Sequence, residues 1–366
     1  MTAGRNREIY IDAFRGLLAL VMMQGHVFDA LVYPASRADP LYLLQAVVHG
    51  STAPGFLFAS GFVAGLPRAP LSLTASFRRA KRLLFVLGVG YAIHLPYLSA
   101  WKTALSATPA EKAALFACDA LQVIAVTQLA VLVLQWLAGR HWVPVAAALA
   151  AVVLVAGPGV WASGVARQLP APLGAYLDMS AAPSQFPIFP FASFVLAGTV
   201  AGGALGRQDP ETRRRRGLVW GFGLIALGLL LSVPLRGVVD FWGASPAYAL
   251  IRIGALLLIL LGVEALSRRT QGVVRPLALL GHETLLVYVM HLLMLYGGVV
   301  GASPLARYFG TLGFAQAAGV LLLMLPIVFA AAWAWHRFKA RAPHAASLAL
   351  LFLGVAFVYE FLTRPW

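Results

Sequence analysis

The chain opens on an apolar stretch, Ile9 to Tyr33, that carries Asp12, Arg15, His26 and Asp29 within it. About 20 apolar residues cross the ~30 Å hydrocarbon core of a bilayer, so the stretch reads as a membrane-spanning helix. Ionisable groups are costly against lipid, and in spanning helices they face a protein interior or a watery cavity. Arg15 and His26 are eleven positions apart. That is about three helical turns, which points both side chains the same way with roughly 16 Å between them along the axis. Asp12 and Asp29 fall within the same arc. A polar stripe therefore runs from one membrane face to about mid-depth or beyond, and other helices must enclose it.

The composition agrees with such an enclosure. Apolar residues make up 60% of the chain and charged residues 11%, against about a quarter charged in soluble domains. The chain reads as a polytopic, all-α membrane protein with one domain over residues 1–366. Its one cysteine, Cys118, excludes an intramolecular disulfide framework and any CxxC metal or redox motif, and reads as packing. The start, MTAGRNREIY, has a basic flank, but the run that follows is too long and too polar for a cleaved signal peptide. It reads as a retained first span. The net charge of +15 does not point to nucleic acid, because the basic residues sit in short loops between spans, where they orient a membrane protein.

Stretches suitable for spanning lie near 9–33, 46–66, 79–99, 115–137, 142–161, 186–206, 217–235, 247–267, 275–300, 312–336 and 345–363. The predicted architecture is thus about eleven transmembrane helices. The Pro- and Gly-rich stretch from Gly157 to Pro190 is the place for a re-entrant element. Alternate loops hold Arg5 and Arg7; Arg68, Arg78, Arg79, Lys81 and Arg82; Arg140; Arg207 and Arg213 to Arg216; Arg268, Arg269 and Arg275; and Arg337, Lys339 and Arg341. The opposite loops hold Arg37, Lys102, Lys112, Arg167, Arg236, Arg307 and Arg364. The split is nineteen to seven, with Arg15 and Arg252 inside spans. The positive-inside rule then places the N-terminus in the cytoplasm and the C-terminus outside.

This orientation gives each polar residue a depth. Arg15 lies near the cytoplasmic end of the first span, and His26 lies towards the outer side. His49, His94 and His291 share that outer half. Thr284, Tyr288 and His291 recur at i, i+4 and i+7 and form a second polar stripe. Arg252, Asp119 and Gln122 enter their spans from outside. For His49 and His94 an interhelical hydrogen bond is an adequate reading, and His94, just before Pro96, reads as an interfacial span-end residue. His26 is different, because it shares a face with Arg15 and neighbours Asp29. The histidine spacings match neither a short metal motif nor a haem-attachment sequence, so no metal is expected. The run RRRRG from Arg213 reads first as an orientation signal facing anionic lipid, with contact to an anionic cytosolic ligand as the second reading.

The opening IDAFRGLLALVMMQGH, with arginine, ten residues and then histidine, resembles the first helix of the transmembrane acyltransferase superfamily. That superfamily includes the acyltransferase-3 proteins and the heparan-alpha-glucosaminide N-acetyltransferase family. Four more stretches resemble the second branch: HGSTAPGFLFASGFVAG, DALQVIAVTQL, FPIFPFASFVLAGTVAG and LGHETLLVYVMHLLMLYGG. The matches run in order from about residue 7 to residue 300. The chain departs from the mammalian glucosaminide enzyme, which lacks a histidine at the place of His26.

The resemblance implies transfer of an acyl group, acetyl above all, from cytosolic acyl-CoA to a hydroxyl or amine of a sugar-containing acceptor outside, in a bacterial cytoplasmic (inner) membrane. With it go site expectations. His26, His291 and Asp29 are the candidate catalytic residues, with His26 either a base or an acylated nucleophile and His291 or His49 in reserve. Arg15, Asp12 and Tyr288 are expected around the acyl-CoA, and His49, Asp119, Gln122 and Arg252 around the acceptor. The co-substrate is acetyl-CoA or another acyl-CoA, and the partners are membrane lipid and a saccharide or glycan acceptor. The rival reading is a proton-coupled transporter or flippase, which intramembrane Arg, Asp and His would also serve. Transporters commonly carry internal repeats, and the IDAFRG pattern has no second copy.

Overall fold

Helix formation follows the apolar runs, with caps and prolines setting the starts. The structure, a computed structural model, describes residues 3–66, 72–298 and 301–364. Expectations resting on Arg68 and Trp366, and on the side chains of Arg5 and Arg7, lie outside the described residues. In chain order the helices are α1 (Ala3–Leu31), α2 (Pro40–His49), α3 (Thr52–Gly65), α4 (Leu73–Ile93), α5 (Ala100–Ser106), α6 (Pro109–Leu115), α7 (Ala120–Ala138) and α8 (Trp142–Ser163). There follow α9 (Ala171–Gly174), α10 (Ile188–Leu205), α11 (Pro210–Ser232), α12 (Pro246–Arg269), α13 (Gln271–His282), α14 (Thr284–Tyr296), α15 (Phe314–Arg341) and α16 (Pro343–Thr363). A two-stranded ribbon, β1 (Gly297–Gly298) with β2 (Gly301–Ala302), follows α14.

The starts are chemically marked. Asp39 caps α2, accepting from the Leu41 amide at 2.8 Å, with Pro40 in the first turn. Asp209 caps α11, accepting from the amides of Glu211 and Thr212 at 3.1 and 3.0 Å, again followed by proline. A side-chain acceptor satisfies amides that have no partner within the helix, and proline loses nothing at a position whose N–H would be idle.

The chain divides into two units, each assembled from separated stretches: residues 1–52, 95–112 and 266–366 in the first, and 53–94 and 113–265 in the second. In the first unit α1 packs along α13 and also meets α2, α14 and α15. The α1–α13 crossing depends on two glycines. A Cβ at Gly16 would come within 1.8 Å of the Leu277 carbonyl oxygen, and one at Gly281 within 1.7 Å of the Asp12 carbonyl oxygen. Small residues let backbones touch in this way, which drives association where apolar packing against lipid offers no gain. In the same unit Val27, Leu31, Val32, Tyr42, Leu295, Ala317 and Met324 form a buried core.

The second unit packs α10 against α7 and α8, and α4 against α7. There Gly61 and Gly65 of α3 meet α10 at the carbonyl oxygens of Val195 and Thr199, while Gly198 and Gly202 of α10 meet those of Phe58 and Phe62. Cys118 is buried in this unit, with its thiol donating to the Phe186 carbonyl at 3.4 Å, and burial pushes its pKa up. It serves packing, as expected.

Among the described residues eight stretches are long and apolar enough to cross a membrane, or nine if the bent pair α13 and α14 is one span. The sequence reading expected about eleven, and the difference has two sources. Residues 120–163 count as one stretch of 44 although Gly139, with φ of 49°, breaks it into α7 and α8. The other is α4, which is too charged for a span because Arg78, Arg79, Lys81 and Arg82 lie within it and not in a loop as expected. Likewise Arg213 to Arg216 belong to α11. Long cationic side chains can lie along a helix and reach outward, so a helix need not end where its charges begin.

Two other boundaries differ. The expected ninth span is bent by 75° between α13 and α14. The expected fourth span starts at Ala120, where Asp119 accepts from the Ala120 amide at 2.7 Å. Between α8 and α10 the chain holds a 3₁₀ turn, the short α9 and irregular structure.

Candidate active site

Helix α1 and helix α14 bring the two principal histidines together. His26 Nδ1 lies 2.8 Å from His291 Nε2, and the rings stack with centroids 5.1 Å apart. His291 is fully buried, and its Nδ1 lies 2.8 Å from the Val287 carbonyl oxygen. A carbonyl can only accept, so Nδ1 of His291 carries the proton and its Nε2 is an acceptor when the ring is neutral. His26 must then donate from Nδ1, which leaves Nε2 as its basic nitrogen. The tautomers of both rings follow from one backbone carbonyl.

A third histidine stands beside the pair. The His49 ring, at the end of α2, meets His26 edge-on with centroids 5.2 Å apart. Its Nε2 is 3.4 Å from Asp29 Oδ2, and Asp29 Oδ1 accepts from the Tyr42 hydroxyl at 2.8 Å. The ring lies over Gly25, where a Cβ would come within 1.9 Å of His49 Nδ1. Next to it Gln24 donates to Gln45 at 2.8 Å, tying α1 to α2. Tyr296 flanks His26 with ring centroids 6.4 Å apart. Tyr288 flanks His291 with centroids 5.8 Å apart.

Asp29 therefore belongs to this cluster through His49 and Tyr42. It is a neighbour of His26 in sequence, but its carboxylate is engaged elsewhere. Thr284, the first member of the expected second stripe, donates from its hydroxyl to the Gly281 carbonyl at the bend.

At the start of the stripe Arg15 donates from Nη1 to Asp12 Oδ1 at 3.4 Å, and Asp12 Oδ2 lies 3.6 Å from His282 Nδ1. His282 adjoins Glu283, a buried carboxylate held by Lys339 Nζ at 2.7 Å and His336 Nδ1 at 3.0 Å. The sequence reading assigned no role to His282, Glu283 or His336, and it took Lys339 for a loop cation, whereas Lys339 belongs to α15. A signal existed in the polar triplet His282, Glu283 and Thr284 inside an apolar run, where a helix interior offers no reason for three polar residues.

The remaining expected residues lie in the second unit, with partners of their own. Gln122 is fully buried, and its Nε2 is 3.4 Å from both His94 Nδ1 and the Ala117 carbonyl oxygen. Asp119 caps α7, with Oδ2 3.8 Å from His94 Nε2. His94 is thus no solvated span-end residue: it closes α4, its Nδ1 is 2.9 Å from the Gly90 carbonyl, and it ties that helix to the start of α7. The Arg252 guanidinium stacks on Tyr248 at 4.6 Å and on Trp242 at 5.9 Å. A buried pair, Arg213 with Glu264 at 2.5 Å, holds α11 to α12.

What the first unit can do chemically is move a proton or an acyl group at His26 Nε2, with the ring held by a neighbour that is itself fixed. A search among curated proteins finds no match. The sequence profile of the acyltransferase-3 family, described as an acyltransferase domain, matches residues 8–334 and so covers both the Arg15–His26 helix and the His291 helix. The chain belongs to the acyltransferase-3 family, and it is a membrane acyltransferase.

Proposed function

We propose that the protein transfers an acyl group, acetyl above all, from acyl-CoA to a hydroxyl or amine of a sugar-containing acceptor, with His26 as the base. The observation that supports this most is the ordered series from the Val287 carbonyl through His291 to His26. It leaves His26 Nε2 with the electron pair that a base needs. In the reaction the acceptor gives its proton to Nε2 as its oxygen or nitrogen bonds to the thioester carbon. The carbon–sulfur bond then breaks, and the departing thiolate takes the proton. Between these steps the ring is an imidazolium whose Nδ1–H donates to His291, an acceptor fixed in place beforehand.

The same electron pair can attack the thioester directly. A nitrogen–carbon bond then forms as carbon–sulfur breaks and the thiolate leaves; the acceptor next bonds to the acyl carbon as carbon–nitrogen breaks, and its proton passes to the electron pair returned to Nε2. Rapid quenching with labelled donor separates the routes, since only the second leaves label on protein.

Arg15 is the intramembrane cation on the His26 face, and the donor is polyanionic. Under this reading Arg15, steadied by Asp12, meets the donor, with Tyr288 beside His291. His49 and Asp29 then face the acceptor. The donor side is cytoplasmic and the membrane a bacterial inner membrane in the same proposal. It is tested by incubating purified protein with labelled acetyl-CoA and a panel of sugar acceptors. CoA release with label on an acceptor is the expected result, and no release with any acceptor overturns it. Acetyl-CoA should also raise the melting temperature of the wild type, and that shift should be largely lost in Arg15→Ala. An unchanged shift removes Arg15 from the donor site.

A further inference from the structure

The bend between α13 and α14 gathers groups that acyl transfer does not use. His282 ends α13, Glu283 occupies the break, and His336 reaches them from α15. One ligand atom from each of the three lies within 4.8 Å of the others. His336 Nδ1 is 3.0 Å and His282 Nε2 4.0 Å from the same carboxylate oxygen, Oε1 of Glu283. In a tetrahedral zinc site with bonds of about 2.0–2.1 Å, neighbouring donor atoms stand about 3.3 Å apart. The two observed separations bracket that value.

The surroundings match what a metal's ligands need. The other oxygen of Glu283, Oε2, is held by Lys339 Nζ at 2.7 Å, which leaves Oε1 to face the imidazoles. The other nitrogen of His282, Nδ1, lies 3.6 Å from Asp12 Oδ2, so a carboxylate orients that ring with Nε2 towards Glu283. Ligating histidines are usually oriented by a carboxylate in this manner, and ligating carboxylates are themselves hydrogen-bonded. The two rings are nearly perpendicular, at 88°, with centroids 5.0 Å apart. Glu283 is 4% exposed, whereas His282 and His336 are about half exposed, so an ion has a route in.

We infer that His282 Nε2, Glu283 Oε1 and His336 Nδ1 form a binding site for a divalent transition-metal ion, zinc in particular, with a fourth position left for water. Two imidazoles and a carboxylate select zinc and its neighbours over magnesium or calcium, which prefer all-oxygen sites. The ion fixes the bend to α15 and, through Asp12, adjoins Arg15. The site stands whether or not the acyl-transfer reading does.

Protein without a histidine tag, purified in detergent and stripped with a chelator, is equilibrated with zinc, desalted and analysed for metal. About one zinc per chain is expected, falling to below about a tenth in His282→Ala/His336→Ala. Asp12→Asn should weaken binding by about 10- to 100-fold. Cobalt added to the stripped wild type should give the visible bands of a four-coordinate site, a readout that depends on no variant. His26→Ala/His291→Ala should keep its zinc. A wild type that retains no metal and shows no such bands overturns the site. So does a His282→Ala/His336→Ala protein that binds as much as the wild type, or a His26→Ala/His291→Ala protein that loses its zinc.

Discussion

A histidine acts as a base only if the correct nitrogen is free, and here a single backbone oxygen decides which. Val287 fixes the tautomer of His291, and His291 fixes that of His26. Replacing His26 with alanine should cut transfer by about 10²- to 10⁴-fold, the usual worth of a general base. His291→Ala should also cut it, because His26 is then free to turn or change tautomer. His94→Ala should act on stability, since its bonds run to Gly90 and Gln122. A His26→Ala protein that is folded, still binds acetyl-CoA and turns over at near the wild-type rate ends the mechanism. Gly25 gives a finer test. A methyl there meets His49 at 1.9 Å, so Gly25→Ala should push that ring from Asp29 and lower acceptor turnover while the helices survive, at a cost of about 1–3 kcal/mol for overpacking. An unaltered rate dependence on acceptor would remove His49 from the site. The pairing of Arg15 with His26 was legible because helical periodicity alone sets it, and Tyr288 with His291 likewise. The seat of His49 on Gly25 was not, since it joins two helices and no spacing within either encodes it.

At the scale of elements, the least legible feature was the break at Glu283. The run from Leu277 through Tyr296 is apolar enough to read as one span, yet its middle is held sideways by Lys339 and His336 of α15. Tertiary bonds to a buried carboxylate outweigh the continuity of the helix, which sequence periodicity does not reveal. The crossing of α1 on α13 was equally hidden, because a glycine in an apolar run marks a close approach without naming its partner. That crossing makes a direct prediction. A Cβ at Gly281 would strike the Asp12 backbone, and backbone has no rotamer to yield, so Gly281→Ala should lower the melting temperature and the yield of folded protein. Gly88, in α4, has nothing within 4 Å of its own added Cβ. Gly88→Ala should be neutral or stabilising by up to about 1 kcal/mol through helix propensity. Equal melting temperatures for the two variants, measured in the same detergent, would remove the tight crossing from the fold.

Over the whole molecule, the division of charge and the count of crossings bear on one question: on which side each end lies. A first span with basic residues before it predicts a cytoplasmic N-terminus. Eight crossings would bring the C-terminus back to that side, whereas nine would leave it opposite. The reading with about eleven crossings also leaves it opposite, and it adds α4 and separates α7 from α8. The nineteen-to-seven distribution of cations favours an odd number, because shifting the alternation by one crossing would mix the two sets of loops. A cytoplasm-active reporter fused after the last residue should therefore be silent, and an export-active reporter at the same place should be active. Fusions in the loop around Gly139, expected on the cytoplasmic side with Arg140, should give the reverse. A C-terminal reporter active in the cytoplasm would mean an even number of crossings. With the N-terminus cytoplasmic, that result would leave His26 of α1 at its depth and would move only the elements after the missing crossing.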